Sequence, residues 1–109
     1  MTVVKLVPLS QPYGDPVIFS VPHGYSMPVA VQLLEHLERQ ENCEIADVSW
    51  KRPGYGKLVE VGIPVRLGTI EFAVMSSYGD ILIYRRAGNK ATFYDFCESV
   101  RQMEFSDAT

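Results

Sequence analysis

The densest run of chemically capable side chains is Trp50-Lys51-Arg52-Pro53-Gly54-Tyr55-Gly56-Lys57, in which three cations are interleaved with two aromatics and two glycines. Cations neutralise phosphates, and aromatic faces stack on unpaired bases. Trp50, Lys51, Arg52, Tyr55 and Lys57 are therefore candidate nucleic-acid-binding residues on a hairpin tip. The plainer reading turns Trp50 into the core and leaves the cations in water. The net charge of −3 favours that reading, because nucleic-acid binders are usually basic.

Other chemistry is thinly supported. The possible metal ligands His23, His36, Cys43 and Cys97 have no paired spacing such as C-x-x-C or H-x3-H, so no metal site and no cofactor is expected. Neither His23 nor His36 lies near a recognisable nucleophile motif, and no catalytic residue is assigned. His23, in a loop beside Gly24 and Tyr25, is the better placed of the two. Asp47 and Glu60 could face each other across a hairpin, but paired strand carboxylates without a cleft are usually just solvated. The cysteines read as packed thiols, Cys97 on a helix face and Cys43 near a helix end.

The elements that position these residues centre on residues 57–86. Val59, Val61, Ile63, Val65 and Leu67 alternate and so share one face of a strand. A two-residue turn at Gly68-Thr69 then pairs Leu67 with Ile70, Val65 with Phe72 and Ile63 with Val74, all apolar and all on that face. A one-residue slip would set apolar against polar throughout. Closing the next turn symmetrically over Ser77–Asp80 pairs Val74 with Ile83, Met75 with Leu82, Ala73 with Tyr84 and Glu71 with Arg86. A charge row Arg66–Glu71–Arg86 across three strands follows.

The second face of this meander is unusual. Leu58, Met75, Leu82 and Tyr84 make it half apolar, with Arg66 and Arg86 at its border. Either the N-terminal segment covers it, or it receives a partner. The charge distribution is also polarised. Residues 51–90 carry seven basic against three acidic side chains, a balance of +4, whereas residues 1–50 and 91–109 carry −4 and −3. Such a surface can steer a charged partner.

The flanks complete the fold. Residues 2–9 and 17–21 read as short strands, with turn chemistry between them. Five of the seven prolines fall in the first 28 residues, which suits an edge rather than a central ladder. Ser26 is the expected N-cap of a helix running to about Gln40, with Ala30, Leu33, Leu34 and Leu37 as its stripe. Residues 44–50 read as a strand, and closure at Pro53-Gly54 would put Val48 opposite Val59. Pro64 implies an edge or a bulge in its strand. A second helix is expected over Thr92–Phe105, capped by Thr92 and Asp95, with Phe93, Phe96, Cys97, Val100 and Met103 facing the sheet.

The expected fold is α+β. A single domain over residues 1–109 holds a mainly antiparallel sheet of four to six strands, with two helices packed on one face. No apolar run reaches membrane-spanning length. Pro8 and Pro12 interrupt the N-terminal apolar stretch, so a cytoplasmic protein is expected. The leading functional expectation is a non-enzymatic protein-binding module, of inhibitor or immunity type. It would bind a protein partner, or itself as a homodimer, through Leu58, Arg66, Met75, Leu82, Tyr84 and Arg86. The alternative is nucleic-acid binding by residues 50–57.

Overall fold

The computed structural model describes residues 3–9, 16–21, 25–47, 49–53, 59–77 and 79–106, with residues 50–53, 59–61 and 77 described by their backbone alone. The fold is α+β. Strands β2 (Val7–Pro8), β3 (Val17–Ser20), β4 (Cys43–Ile45), β6 (Val59–Leu67), β7 (Ile70–Ser77) and β8 (Asp80–Ala87) form an antiparallel sheet in the order β2-β3-β8-β7-β6-β4. β5 (Trp50–Pro53) also pairs with β6. A separate two-stranded ribbon joins β1 (Val3–Val4) to β9 (Phe105–Ser106).

Helices α1 (Ser26–Glu38) and α2 (Lys90–Gln102) pack on one face of this sheet. From α1, Val29, Ala30, Leu33 and Leu37 are buried; from α2, Phe93, Phe96, Cys97 and Val100. They meet Phe72, Val74, Ile81 and Ile83 of the central strands. Phe72 and Phe96 stack with ring centroids 4.5 Å apart, and Phe93 lies 6.5 Å from Phe72. These rings pack with the aliphatic side chains between the layers, and burial of such apolar area is the main favourable contribution to folding.

The β6–β7 hairpin has the expected register, with Leu67↔Ile70, Val65↔Phe72 and Ile63↔Val74. Gly68 (φ 59°) and Gly79 (φ 88°) supply the left-handed residues of the two turns. The β7–β8 register also matches from Ser77↔Asp80 to Ala73↔Tyr84. It then shifts: Phe72 faces Arg85 and Glu71 faces Ala87, so Arg86 is bulged out of the ladder. The anticipated Glu71–Arg86 pair is therefore not formed in register.

Pro64 explains the other irregularity. It sits on the β4 side of β6, where its carbonyl accepts the Ala46 N–H at 2.9 Å. Proline has no N–H to return, so the ladder cannot continue there. Pairing resumes at Trp50↔Gly62 after Ile45↔Val65, five residues along one strand against three along the other. With Pro53 facing Val59, the register differs from that of a two-residue closure at Pro53-Gly54. Val48, once expected opposite Val59, lies outside the described residues, and Val59 faces Pro53.

Helix ends differ by one to three residues from the sequence expectation. Tyr25 occupies the N-cap of α1 without a side-chain hydrogen bond, and Ser26 is already helical and buried. At α2, Asn89 rather than Thr92 is the cap: its Oδ1 accepts the Thr92 N–H at 3.1 Å. Asn is among the best capping residues, so the helix starts a turn earlier. It ends at Gln102, because Met103 is extended (ψ 150°), and Phe105 reaches the core from β9 instead.

The β2 edge of the sheet is blunted. Leu9 N–H donates to Ile18 O at 3.0 Å, so alternation turns the backbone groups of Pro8 to the open side. There Pro8 presents a carbonyl and no N–H, which discourages addition of a further strand.

Candidate interaction surface

The face of the sheet away from the helices is built in two parts. At one end the chain packs small against flexible. A side chain at Gly62 would place its Cβ 3.0 Å from Met75 Cγ and 3.2 Å from Ala73 Cβ. Ala73, Met75 and Tyr84 are all buried (0%, 3% and 6% exposed). Leu82 is half-buried, and Leu58 lies outside the described residues. Two of the expected partner-binding side chains, Met75 and Tyr84, are thus already covered in this chain and offer a partner little surface.

The other end is open and charged. Glu44, Ala46, Pro64, Arg66, Glu71 and Arg86 line a cleft of about 250 Å³. Arg66 stands opposite Glu71 in the ladder, as expected, but its guanidinium bonds Glu44 on the other neighbouring strand at 2.6 Å. Both partners are exposed, so this ion pair contributes no more than about 1 kcal/mol. Alternation from Tyr84 already assigns Arg86 to this face, and the bulge takes it out of register with Glu71. The structure therefore brings Arg66 and Arg86 to one cleft and leaves the buried Met75 and Tyr84 apart from its lining.

Sequence reasoning missed Glu44 as the partner of Arg66, and it missed the bulge. The only hint was the Arg85-Arg86 pair, in which strict alternation puts Arg85 on the helix face. That arginine resolves its position by donating from Nη1 to Gly88 O at 3.1 Å.

The remaining candidates fare as follows. In the basic loop, Trp50, Lys51 and Arg52 are in β5, with their side chains not described, and Tyr55 and Lys57 lie outside the described residues. The Asp47–Glu60 juxtaposition does not form, since Glu60 faces Arg52. His23 lies outside the described residues and His36 is exposed on α1. Cys43 and Cys97 are separate thiols. Burial raises the Cys43 pKa above that of an ordinary thiol, and the charges of Glu38 and Glu44 raise it further. That thiol is thus held protonated, which disfavours it as a nucleophile. Among the described residues no group of three or more His, Cys, Asp or Glu could hold a metal, and no helix is long and apolar enough to cross a membrane.

Comparisons with protein families, with curated proteins and with solved structures give no significant match for this chain. The surface therefore has to be read from its own chemistry.

Proposed function

We propose that this chain is a non-enzymatic protein-binding module, in the manner of an inhibitor, an immunity-type protein or a small subunit, and that it engages its partner through the open, charged end of the sheet face away from the helices. The observation that carries this reading is the cleft itself, in which two exposed arginines, Arg66 and Arg86, stand with Glu44 and Glu71. At about 250 Å³ the cleft is smaller than a typical small-molecule pocket, and it lies open on the sheet, which suits a protein surface better than an enclosed substrate. Its mixed charges favour orientation and specificity over bulk affinity. Leu82, half-buried on the same sheet face, lies outside the cleft lining.

The test is retention of proteins from a host extract on the immobilised chain, compared with an Arg66→Glu/Arg86→Glu variant. At least one protein should be held by the native chain and lost by the variant, while circular dichroism shows both folded. Identical retention profiles would remove the proposal. Sedimentation of the purified chain separates a homodimer from a foreign partner: a dimer that dissociates in the same variant makes the partner a second copy.

Nucleic-acid binding is the second reading. The run of residues 50–57 interleaves Lys51, Arg52 and Lys57 with Trp50 and Tyr55, phosphate-binding groups among stacking ones. Single-stranded DNA or RNA should then shift in a gel at low salt and be released steeply as salt rises. No shift at low salt dismisses it.

A further inference from the structure

The two edges of the main sheet are finished differently. At β2, Pro8 turns a carbonyl without an N–H to the open side. At β4 the backbone is left complete. Asn42 O accepts the Gly68 N–H at 2.9 Å, and the Ala46 N–H donates to Pro64 O at 2.9 Å, in one register with Glu44↔Arg66. These residues therefore turn their backbone groups to β6, and alternation turns those of Cys43 and Ile45 away from the sheet. The Cys43 N–H is taken by Gln40 O at 3.3 Å. Among the described residues nothing bonds the Cys43 carbonyl or the N–H and carbonyl of Ile45.

The surroundings of this edge are apolar and acidic. Cys43 and Ile45 pack at the rim of the helix-side core. Met27, Val31, Leu34 and Glu38 follow at helical spacing along one flank of α1, and Met27 and Val31 are exposed. Glu38 ends that row beside β4, where its charge acts on the Cys43 thiol. Glu41 and Asp47 are exposed on either side of β4 in the chain. Arg66 pairs with Glu44, whereas Glu38, Glu41 and Asp47 have no ion pair with a described residue.

We propose that the β4 edge receives an extended segment of a partner protein as an added antiparallel strand, with an apolar residue opposite Ile45 and a basic residue two positions to either side. Strand addition to an open edge is a common mode of peptide recognition, in which the backbone gives affinity and alternate side chains give specificity. One residue of the segment exchanges two hydrogen bonds with Ile45, and another donates to the Cys43 carbonyl. The apolar side chain lies beside Ile45 on the helix side. Two residues along, the same face brings a cation to Cys43 and Glu38. Acidity also decides against a second copy of this edge. An antiparallel pair of β4 strands centred on Ile45 would set Cys43, with Glu38 beside it, opposite Asp47 of the other copy, like charge against like. The edge adjoins the sheet-face cleft at Glu44 but uses none of its arginines, so either proposal can fail without the other.

The test is an NMR titration of the full chain at low salt with N-acetyl-Lys-Thr-Val-Thr-Lys-amide and with the counterpart carrying Glu for both Lys. The lysine peptide should produce a saturable shift at the Ile45 amide, and the glutamate peptide should bind at least about tenfold more weakly. Glu38→Lys/Asp47→Lys, at two exposed positions, should invert that preference. Ile45→Pro removes the outward N–H without costing β6 a hydrogen bond. It should lose binding, read at the Cys43 amide, while circular dichroism shows it folded. No saturable shift at Ile45, equal affinity for the two peptides, an unchanged preference in the charge-reversed chain, or full binding by Ile45→Pro overturns the proposal. A shift at Ile45 on concentrating the chain alone makes the occupant a second copy and overturns it likewise.

Discussion

The two faces of the main sheet are closed by opposite means. On the helix side, large rigid rings interlock: Phe72 is fully buried against Phe93 and Phe96. On the face away from the helices, small residues do it, with Gly62 and Ala73 leaving room for the flexible Met75, all three buried. Shape complementarity specifies the first face, and small residues permit the second. The difference should appear as a difference in what each face tolerates. Phe72→Ala removes a ring that two others contact and leaves a cavity the helices cannot collapse into. It should cost about 3–5 kcal/mol, read as a lower urea midpoint with unchanged slope. A loss below about 1 kcal/mol would mean the helix layer is loosely held, and the contrast would vanish.

The face away from the helices is tested by filling it. Gly62→Val adds a branched side chain where even a Cβ lies 3.0 Å from Met75 and 3.2 Å from Ala73. Overpacking of this kind costs about 1–3 kcal/mol. Because Met75 is unbranched, the double variant Gly62→Val/Met75→Ala should recover part of that loss. Equal destabilisation in the single and double variants would show that Ala73 or the backbone, and not Met75, sets the limit.

This division also marks how far the sequence could be read. The meander was legible because turn chemistry and apolar alternation agreed: Gly68-Thr69 admits one register, and a slip would have buried Arg66. The apolar stripes of both helices were legible for the same reason. What failed was competition between equivalent signals. Asn89 and Thr92 both make good caps, and the earlier one wins. Phe105 continues the helical period of α2, yet Met103 leaves the helix and delivers Phe105 through β9. Pro64 announced a bulge without saying how many residues it would absorb, so the β5 register and the Asp47–Glu60 pairing were misplaced. Of the candidate site, Arg66 and Arg86 were legible as surface charges. The burial of Met75 and Tyr84 was not, because alternation assigns a residue to a face and not its cover.

The charged end of the face away from the helices should matter little to stability. Arg66→Ala, Glu44→Ala and their double variant should each cost less than about 1 kcal/mol, with a coupling of a few tenths that fades in salt. A coupling well above that would mean the 2.6 Å contact is shielded from water, and the cleft would be part of the packing instead of an open surface.

The smallest expected effect crosses the sheet. Glu44 and Cys43 are neighbours in β4, so their side chains point to opposite faces: Glu44 to Arg66 in the cleft, Cys43 to the rim of the helix-side core. The thiol is held above its ordinary pKa first by burial, then by Glu38 and Glu44. A raised pKa leaves less thiolate at a given pH and so slows disulfide exchange. Cys97 is buried and does not contribute to the rapid reaction. The rate of reaction with an aromatic disulfide, followed against pH, therefore reports on Cys43. Glu44→Gln should move that profile to lower pH, and Arg66→Ala should move it the other way by releasing the Glu44 charge from its partner. Burial is the larger cause, so both displacements should be small beside the offset from a free thiol. If neither variant moves the profile, the field of Glu44 does not reach the thiol across the strand, and the two faces are electrically insulated as well as differently packed.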